Sequence, residues 1–255
     1  MIEIEYICNL ICTYKKRGKY NKKYKYKMTE KKVKGAPNDV AAALNSSEAF
    51  FNKNKKLLVG LFVGVIVLIA GVFFYRNYVS VPRENKASTE LAKAQVLFNN
   101  EQFDKANVGF LKVINDFGGT DAANLANLYA GLSYANQNKW EEAVKYLENY
   151  SAKDDAMVSP AAIAALGNAY ANTGNLDKAV SYLKKAASNA DSKSINDANF
   201  SLSATFLIQA GQLLESQNKN EEALELYKEV KAKYVNAQQV QSNEIDKYIQ
   251  RLEQK

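Results

Sequence analysis

The chain has 255 residues, a formal net charge of +7, two cysteines and no histidine. Without histidine it lacks the commonest general base, a common metal ligand and the usual partner of a catalytic serine or cysteine. It also lacks a phosphate-binding loop of the Gly-x4-Gly-Lys-Ser/Thr kind. We therefore predict that the protein is not an enzyme and that it has no catalytic residues, cofactor or metal site.

Residues 1–27 differ from the rest, since they consist mostly of Ile, Lys, Asn and Tyr. They end before Met28-Thr-Glu-Lys-Lys, which would serve as a translation start. Two interpretations stay open: a start set too early, or a disordered basic extension that binds anionic lipid or nucleic acid. Cys8 and Cys12 lie in this stretch, and without a second pair they are a weak metal signal.

Residues 57–75 are an uncharged, mostly apolar run of 19 residues. As a helix it would be about 28 Å long, close to the hydrocarbon thickness of a bilayer. A buried core helix is the weaker interpretation, because all faces are apolar and basic residues bracket the run. A cleaved signal peptide is the other alternative, but the run is long for one and no clear cleavage site follows. We predict an uncleaved transmembrane helix, with residues 76–86 as a linker.

Three glycines share one face of this helix. Gly60 and Gly64 form a Gly-x3-Gly pair, and Gly71 returns to the same face two turns later. Small residues on one stripe let another membrane helix approach closely. Glycine is also common in membrane helices in general. The stripe is therefore either a contact for a membrane partner or an ordinary feature of a tether.

The charge distribution predicts how the chain is oriented. The tail before Leu57 contains 14 basic and 5 acidic residues, whereas residues 77–255 contain 19 basic and 22 acidic ones. Long domains are translocated largely regardless of charge, while short basic tails stay in the cytoplasm. We expect residues 28–56 to be a cytoplasmic tail, and the C-terminal domain to lie in the periplasm of a bacterium, anchored in the inner membrane.

One pattern occurs four times after the apolar run. A small residue is followed 12 positions later by an alanine and, four positions after that, by a large apolar residue. The copies are Ala94, Ala106 and Phe110; Gly131, Ala143 and Leu147; Gly167, Ala179 and Leu183; and Gly211, Ala223 and Tyr227. Asn-rich turns separate the small residue from the alanine. The pattern predicts pairs of antiparallel helices with small residues at the closest contact.

This pattern resembles the tetratricopeptide repeat, or TPR. The alanines are 37, 36 and 44 residues apart, against about 34 in the family, so the links between pairs are longer. The resemblance implies an all-α solenoid over residues 87–255, capped by a last helix at 238–253. The pairs are expected near 87–115, 124–152, 160–188 and 204–232, with second helices opening at Phe103, Trp140, Leu176 and Asn220.

In stacked TPR pairs the first helices line a groove, and their outward residues meet the ligand. By the phase of the motif these are Gln95, Phe98, Asn99, Leu128, Leu132, Asn136, Asn168, Asn172, Ile208, Gln212 and Glu215. The set is rich in amides and apolar groups, unlike the basic clamps of TPR proteins that hold acidic chaperone tails. Amides suit the backbone of a bound segment, with apolar neighbours for its side chains. We predict protein or peptide partners and, because basic residues are scattered, no nucleic acid; the alternative is a merely solvated surface.

The order of basic tail, single anchor and TPR domain resembles the ancillary subunit family of the Sec translocon, bitopic inner-membrane proteins with a periplasmic TPR-like domain. The local likeness is best at Asn54-Lys-Lys-Leu-Leu-Val-Gly-Leu-Phe-Val-Gly and at Tyr75-Arg-Asn-Tyr78. It implies a scaffold in the bilayer that contacts translocon subunits and periplasmic chaperones and links secreted chains to folding factors. The alternative is a structural TPR subunit of another envelope complex, in division, transport or outer-membrane assembly.

Overall fold

The computed structural model describes residues 37–194 and 198–254, and within these ranges every regular element is a helix. The expectations for residues 1–27, including both cysteines and the start at Met28, lie outside the described residues. Helix α1 (Pro37–Tyr75) is followed by a π-helical turn (Arg76–Ser80) and by α2 (Val81–Asn99). The all-α class is confirmed.

The predicted transmembrane run lies within α1, and its side chains are almost all exposed. Among the described residues, the helical stretch Lys53–Asn99 holds the one window long and apolar enough to cross a membrane, and none of that window is buried. An apolar helix that the protein itself does not cover calls for a lipid or protein environment. Length and composition thus agree with a spanning helix, and the anchoring itself stays a prediction.

The segment 76–86, which we expected to be a linker, is helical. The Val81 N–H donates a hydrogen bond to the Arg76 carbonyl, five residues back, which makes the turn a π-turn. Pro82 explains it, because proline has no N–H to donate and its ring crowds the carbonyl four residues earlier. A widened turn just before the proline relieves that crowding.

Four antiparallel helix pairs make up the C-terminal domain. The first and second helices of the pairs are α2 and α3 (Phe103–Asp116); α4 (Asp121–Asn136) and α5 (Trp140–Glu148); α6 (Val158–Asn172) and α7 (Leu176–Ser192); and α8 (Leu202–Ser216) and α9 (Asn220–Lys233). Two short helices, α10 (Gln238–Gln241) and α11 (Glu244–Glu253), follow. Every second helix begins at the predicted residue, and the all-α array of four pairs is confirmed. The single capping helix expected at 238–253 is instead two short helices, because the chain turns at Asn243 with a φ of 56°.

The small residue of each repeat lies where the two helices of a pair come closest. A Cβ atom on Gly131 would lie 2.5 Å from Leu147 Cγ, and one on Gly211 would lie 2.4 Å from Tyr227 Cε1. Both distances are shorter than carbon atoms tolerate, so any side chain here would push the helices apart. The large residue 16 positions after the glycine occupies the space that the missing side chain leaves.

In the first repeat, the glycine at this contact is on the second helix of the pair instead of the first. Ala94 stands where the other repeats have glycine, and it faces Gly109 on α3. A Cβ atom on Gly109 would lie 2.7 Å from Ala94 Cβ. The equivalent of Gly109 is Tyr146 in the second repeat and Tyr182 in the third. The two helices therefore keep the same close spacing, because the larger Ala94 on the first helix is matched by a glycine on the second.

The turn inside each pair has the same backbone conformation in all four repeats. The residue seven positions after the small one has a positive φ: 59° at Glu101, 58° at Asn138, 81° at Gly174 and 60° at Asn218. This left-handed residue brings the next N–H back to the end of the first helix, as in the 3.0 Å bond from the Lys139 N–H to the Tyr134 carbonyl. Asn and Gly tolerate the conformation well, so Glu101 is the unusual member.

The first helices lie on the inner side of the array. Each of α2, α4 and α6 packs against the next first helix, whereas consecutive second helices make no comparable contacts in the ranges 81–194 and 198–254. The side formed by the first helices is therefore the shorter one, and the array curves around it. At the C-terminal end α11 buries Ile245, Ile249 and Leu252 and covers the last pair.

Candidate protein-binding face

The inner face, defined as the exposed and half-buried surface of α2, α4, α6 and α8, is almost free of charge in the second, third and fourth repeats. Asp121 and Glu215 are the only charged residues of α4, α6 and α8, whereas α3, α5, α7 and α9 contain 20. Helix α2 has five charged residues, and none of them follows Lys93. The charged groups of the repeats thus belong mostly to the outer helices.

A cavity of about 280 Å³ opens on the inner face between α4 and α6. Its lining is apolar throughout and consists of Leu128, Leu132, Met157, Val158, Ala161 and Ala162. Met157 is 70% exposed and Val158 44% exposed. Large apolar groups left open beside a concave site are typical of a surface that receives an apolar side chain.

The exposed position of Met157 depends on a turn around Asp155. The Asp155 carboxylate accepts hydrogen bonds from the backbone N–H groups of Met157, Val158 and Ser159, at 3.0, 2.5 and 3.0 Å. Partial burial acts to raise the pKa of Asp155, but these bonds and one from the Ser159 hydroxyl outweigh it and lower the pKa. The ionised carboxylate therefore fixes the N-terminus of α6 and the rim of the cavity.

Four predicted groove residues of the middle repeats, on α4 and α6, are exposed or half-buried. Leu132 lines the cavity, and Asn136, Asn168 and Asn172 are exposed. Asn136 follows Leu132 by one turn, whereas Asn168 and Asn172 lie about 9 and 15 Å along α6 from Ala162. The side-chain amides of Asn136 and Asn172 donate to carbonyls of their own helices, at 2.9 and 2.8 Å. No described residue donates to the oxygen of either amide, so both oxygens can accept from the backbone of a ligand. Sequence reasoning missed Met157 and Val158, because they precede the repeat pattern.

The prediction that Leu128 and Ile208 face outward needs correction. Both residues are 6% exposed, and Ile208 lies in the core of the last two repeats. They stand three positions before the small residue, where Leu91 and Ala164 are also buried. The next repeat, or after the fourth repeat the capping helix, covers this position. The helical phase of a single repeat cannot reveal this. Leu128 reaches the ligand-accessible surface only where it forms the floor of the cavity.

The predicted contacts at the two ends of the face differ from those in its middle. Gln95 is half-buried and Asn99 exposed, while the Phe98 ring packs 5.6 Å from the Tyr129 ring, between centroids. In the last repeat, contacts with α11 occupy the face. The Gln212 amide donates to the Tyr248 hydroxyl at 3.2 Å, and Arg251 donates to Glu215 at 2.6 Å. The surface open to a partner therefore belongs to the first three repeats.

The C-terminal domain also has a polar cavity on its outer side, of about 500 Å³, beside Asp191. The buried Asp191 carboxylate accepts hydrogen bonds from the Asn199 N–H, the Ser203 and Tyr234 hydroxyls and the Lys233 ammonium, at 2.5 to 2.8 Å. Burial acts to raise the pKa of Asp191, but these donors together lower it. With its acceptor capacity used, the carboxylate holds the long link between the third and fourth repeats and is not a free base.

The glycine stripe of α1 has no partner among the described residues. Cβ atoms built on Gly60, Gly64 and Gly71 would meet nothing within 4 Å. The face is open, and its role as a contact for another membrane helix stays a prediction. Metal binding finds no support in the described part of the chain, where no cluster of His, Cys, Asp and Glu could hold an ion.

The chain matches the family described as "T7SS, ESX-1 secretion system protein EccA1, N-terminal domain" over residues 38–246. It belongs to this family. The matched stretch includes all four helix pairs, and so every residue that lines the inner cavity. The family match also reaches back through α1, beyond the TPR-like helices.

Solved structures similar to this family member include two of a putative kinesin light chain from Podosopora anserina with nearly identical TPR-like repeats. One shares 14% identity, with a TM-score of 0.48, and covers 67% of this chain and 96% of that one. The other, a single-residue variant of the same protein, shares 15% identity at the same TM-score and covers 67% and 94%. The C-terminal part of a TPR repeat-containing protein from Cytophaga hutchinsonii shares 16% identity, with a TM-score of 0.34 and coverage of 64% and 77%. No curated protein matches the chain.

Proposed function

We propose that the protein is a membrane-anchored TPR scaffold that holds segments of other proteins against its inner face. The observation that carries this proposal is the apolar cavity on the inner face between α4 and α6, with Met157 and Val158 exposed at its rim. Exposed apolar side chains in a concave site cost solubility unless a partner covers them. A scaffold role also fits a fold whose repeats present a large continuous surface.

The partner system is proposed to be a protein-export complex of the cell envelope. The family to which the chain belongs carries the name of a secretion system protein, which supports a role beside an export machine. The order of basic tail, apolar helix and TPR domain supports the Sec translocon as that machine, with secreted chains passed to periplasmic folding factors. A structural subunit of another envelope complex is the alternative.

The anchor and its orientation complete the proposal. The apolar run in α1 is the proposed inner-membrane span, by its length and composition. The basic tail is proposed to stay in the cytoplasm and the repeats to lie in the periplasm, on the charge distribution described above. An anchored scaffold raises the local concentration of its partner at the membrane without any additional contact.

Site-specific photo-crosslinking in intact cells tests the function. A photoreactive residue replaces Asn168, on the inner face of α6, or Ser181, an exposed residue of the outer helix α7. We expect Asn168 to form adducts with an identified export or envelope protein, and Ser181 to form none. Translocon or chaperone peptides would support the Sec assignment, and a single fixed envelope protein would support the alternative. Absence of adducts from Asn168, or equal adducts from both positions, would contradict a scaffold that works through its inner face.

A further inference from the structure

We infer that the inner face selects uncharged polypeptide segments that bring an apolar side chain to the Leu128–Met157 cavity, and that it rejects segments with charges beside that side chain. This inference rests on the proposed function and specifies the partner's chemistry. The face offers apolar walls and amide groups, and over α4, α6 and α8 only Asp121 and Glu215 are charged.

Both of these carboxylates already have a cationic partner. Asp121, at the start of α4, lies 2.9 Å from the Lys153 ammonium. Glu215 accepts hydrogen bonds from Tyr227 and Arg251, at 2.7 and 2.6 Å. The carboxylate at the rim of the cavity, Asp155, already accepts three backbone N–H groups and one hydroxyl. A charged ligand residue brought to the cavity would therefore lose water without gaining an unpaired counter-charge from these carboxylates, which is costly.

The polar groups further along α4 and α6 suit a neutral backbone. The side chains of Asn136 and Asn172 donate to carbonyls of their own helices, which orients their amides. Their oxygens remain as acceptors for backbone N–H groups of an extended or helical segment. Neutral hydrogen bonds and apolar burial depend little on ionic strength, in contrast to the charge pairing of basic TPR clamps.

The cavity limits the occupant to one apolar side chain at a time. About 280 Å³ accommodates a leucine, methionine or phenylalanine side chain and not a packed domain surface. The occupant is therefore proposed to be an unfolded or extended segment of a partner, uncharged around one large apolar residue. Such segments are what a scaffold beside an export complex would meet.

Binding of fluorescent peptides to the full chain in detergent micelles tests the selectivity. The probe is a neutral peptide of roughly nine Leu, Ser and Asn residues with blocked ends. Two comparison peptides carry either Asp or Lys on both sides of the central leucine. We expect the charged peptides to bind at least about tenfold more weakly, and the Kd of the neutral peptide to change less than about twofold between roughly 0.05 and 0.5 M salt.

A charge placed in the cavity should reverse the preference. Ala161→Glu is expected to weaken the neutral peptide about tenfold and to make the Lys peptide the better ligand. The matched control is Ala232→Glu, at an exposed alanine of the outer helix α9, which should change neither affinity. Unchanged helical content in both variants excludes misfolding as the cause.

Two results would overturn the inference: charged peptides that bind as well as the neutral one, or an Ala161→Glu variant that binds like the control. If either occurs while Asn168 still crosslinks to a partner in cells, the inner face is a binding site with a different selectivity and the proposed function stands. If Asn168 forms no adducts, the proposed function itself fails. Adducts between two copies of this chain would show that the inner face binds a second copy instead of a segment of another protein. This result would also overturn the inference.

Discussion

Individual positions of the repeat have distinct roles at fixed distances from the small residue. Three positions before it, the residue is buried against the next repeat or, in the last repeat, against the capping helix. At the small residue itself the two helices touch, and seven positions later the chain turns through a left-handed conformation. The spacing of 12 between small residue and alanine is visible in the sequence because steric contact permits little variation there. The buried position is not visible, since it depends on a neighbouring repeat.

Glu101 is the one turn residue of the four that is neither Asn nor Gly, and its positive φ of 59° is unfavourable for glutamate. Glu101→Asn should raise the free energy of unfolding by about 1 kcal/mol, because a left-handed conformation costs most residues that much. The reverse change, Asn138→Glu, should lower it by a similar amount. The midpoint of denaturant unfolding, followed by circular dichroism, measures both. Equal stability of wild type and both variants would mean that the turn is not held in this conformation.

Asp191 should make stability sensitive to acid. Its pKa is lowered in the folded chain, so its contribution is present above the unfolded pKa of about 3.9 and is lost as the pH falls through the folded value. Asp191→Asn should lower the free energy of unfolding by about 1–3 kcal/mol at neutral pH and flatten its decrease below about pH 4. Denaturation at a series of pH values measures both effects.

Asp154→Asn provides the control for this pH series. The Asp154 side chain is 88% exposed and pairs with Lys193, so its removal should change stability by less than about 1 kcal/mol. Parallel pH curves for wild type and Asp191→Asn would show that the network around Asp191 is not stabilised by its charge.

At the scale of helices, the sequence predicted the pairs well and their connections poorly. The second helices start at the aromatic, leucine or asparagine residues that open the periodic pattern, and local turn chemistry fixes those starts. The start of α4 is held partly by a distant contact with the junction at 76–86. There the Glu84 carboxylate accepts hydrogen bonds from the N–H groups of Asp121 and Ala122, at 2.8 and 2.9 Å. A cap supplied from 37 residues away leaves no local signal.

The contact between Ala94 and Gly109 can be tested by a double-mutant cycle. Gly109→Ala should destabilise the first pair by about 1–3 kcal/mol, because the new methyl group would meet Ala94 Cβ. In the Ala94→Gly background the same change should cost much less, since the opposing methyl group is gone. Unfolding midpoints of the four proteins give the coupling. Strictly additive effects would contradict the predicted exchange of small residues between the helices.

The orientation of α1 is a separate prediction at this scale. An alkaline phosphatase reporter, which is active only outside the cytoplasm, should be active when fused after Lys255. The same reporter fused before Met28 should be inactive, because short basic tails remain inside. The opposite pattern would place the repeats in the cytoplasm and would remove the periplasmic part of the proposal.

The whole molecule combines two properties that no single repeat reveals. Curvature follows from contacts between successive first helices, and the charge difference between inner and outer helices appears only after each helix is assigned to a side. The sequence predicted an amide-rich and apolar groove. Leu132, Asn136, Asn168 and Asn172 are exposed or half-buried on first helices, and their contact with a ligand stays a prediction. Met157 and Val158 could have been noticed as two adjacent large apolar residues in an otherwise polar link.

Oxidation of Met157 measures most directly whether a partner covers the inner face. Met1 and Met28 are the only other methionines, and Met157 is 70% exposed at the rim of the cavity. Peroxide oxidises methionine according to its exposure, so mass spectrometry of the peptide with Met157 reports on coverage. We predict rapid oxidation in the purified chain and slow oxidation in native membranes, with the difference retained after a high-salt wash. Equally rapid oxidation in both would contradict a scaffold whose inner face is occupied by a protein partner.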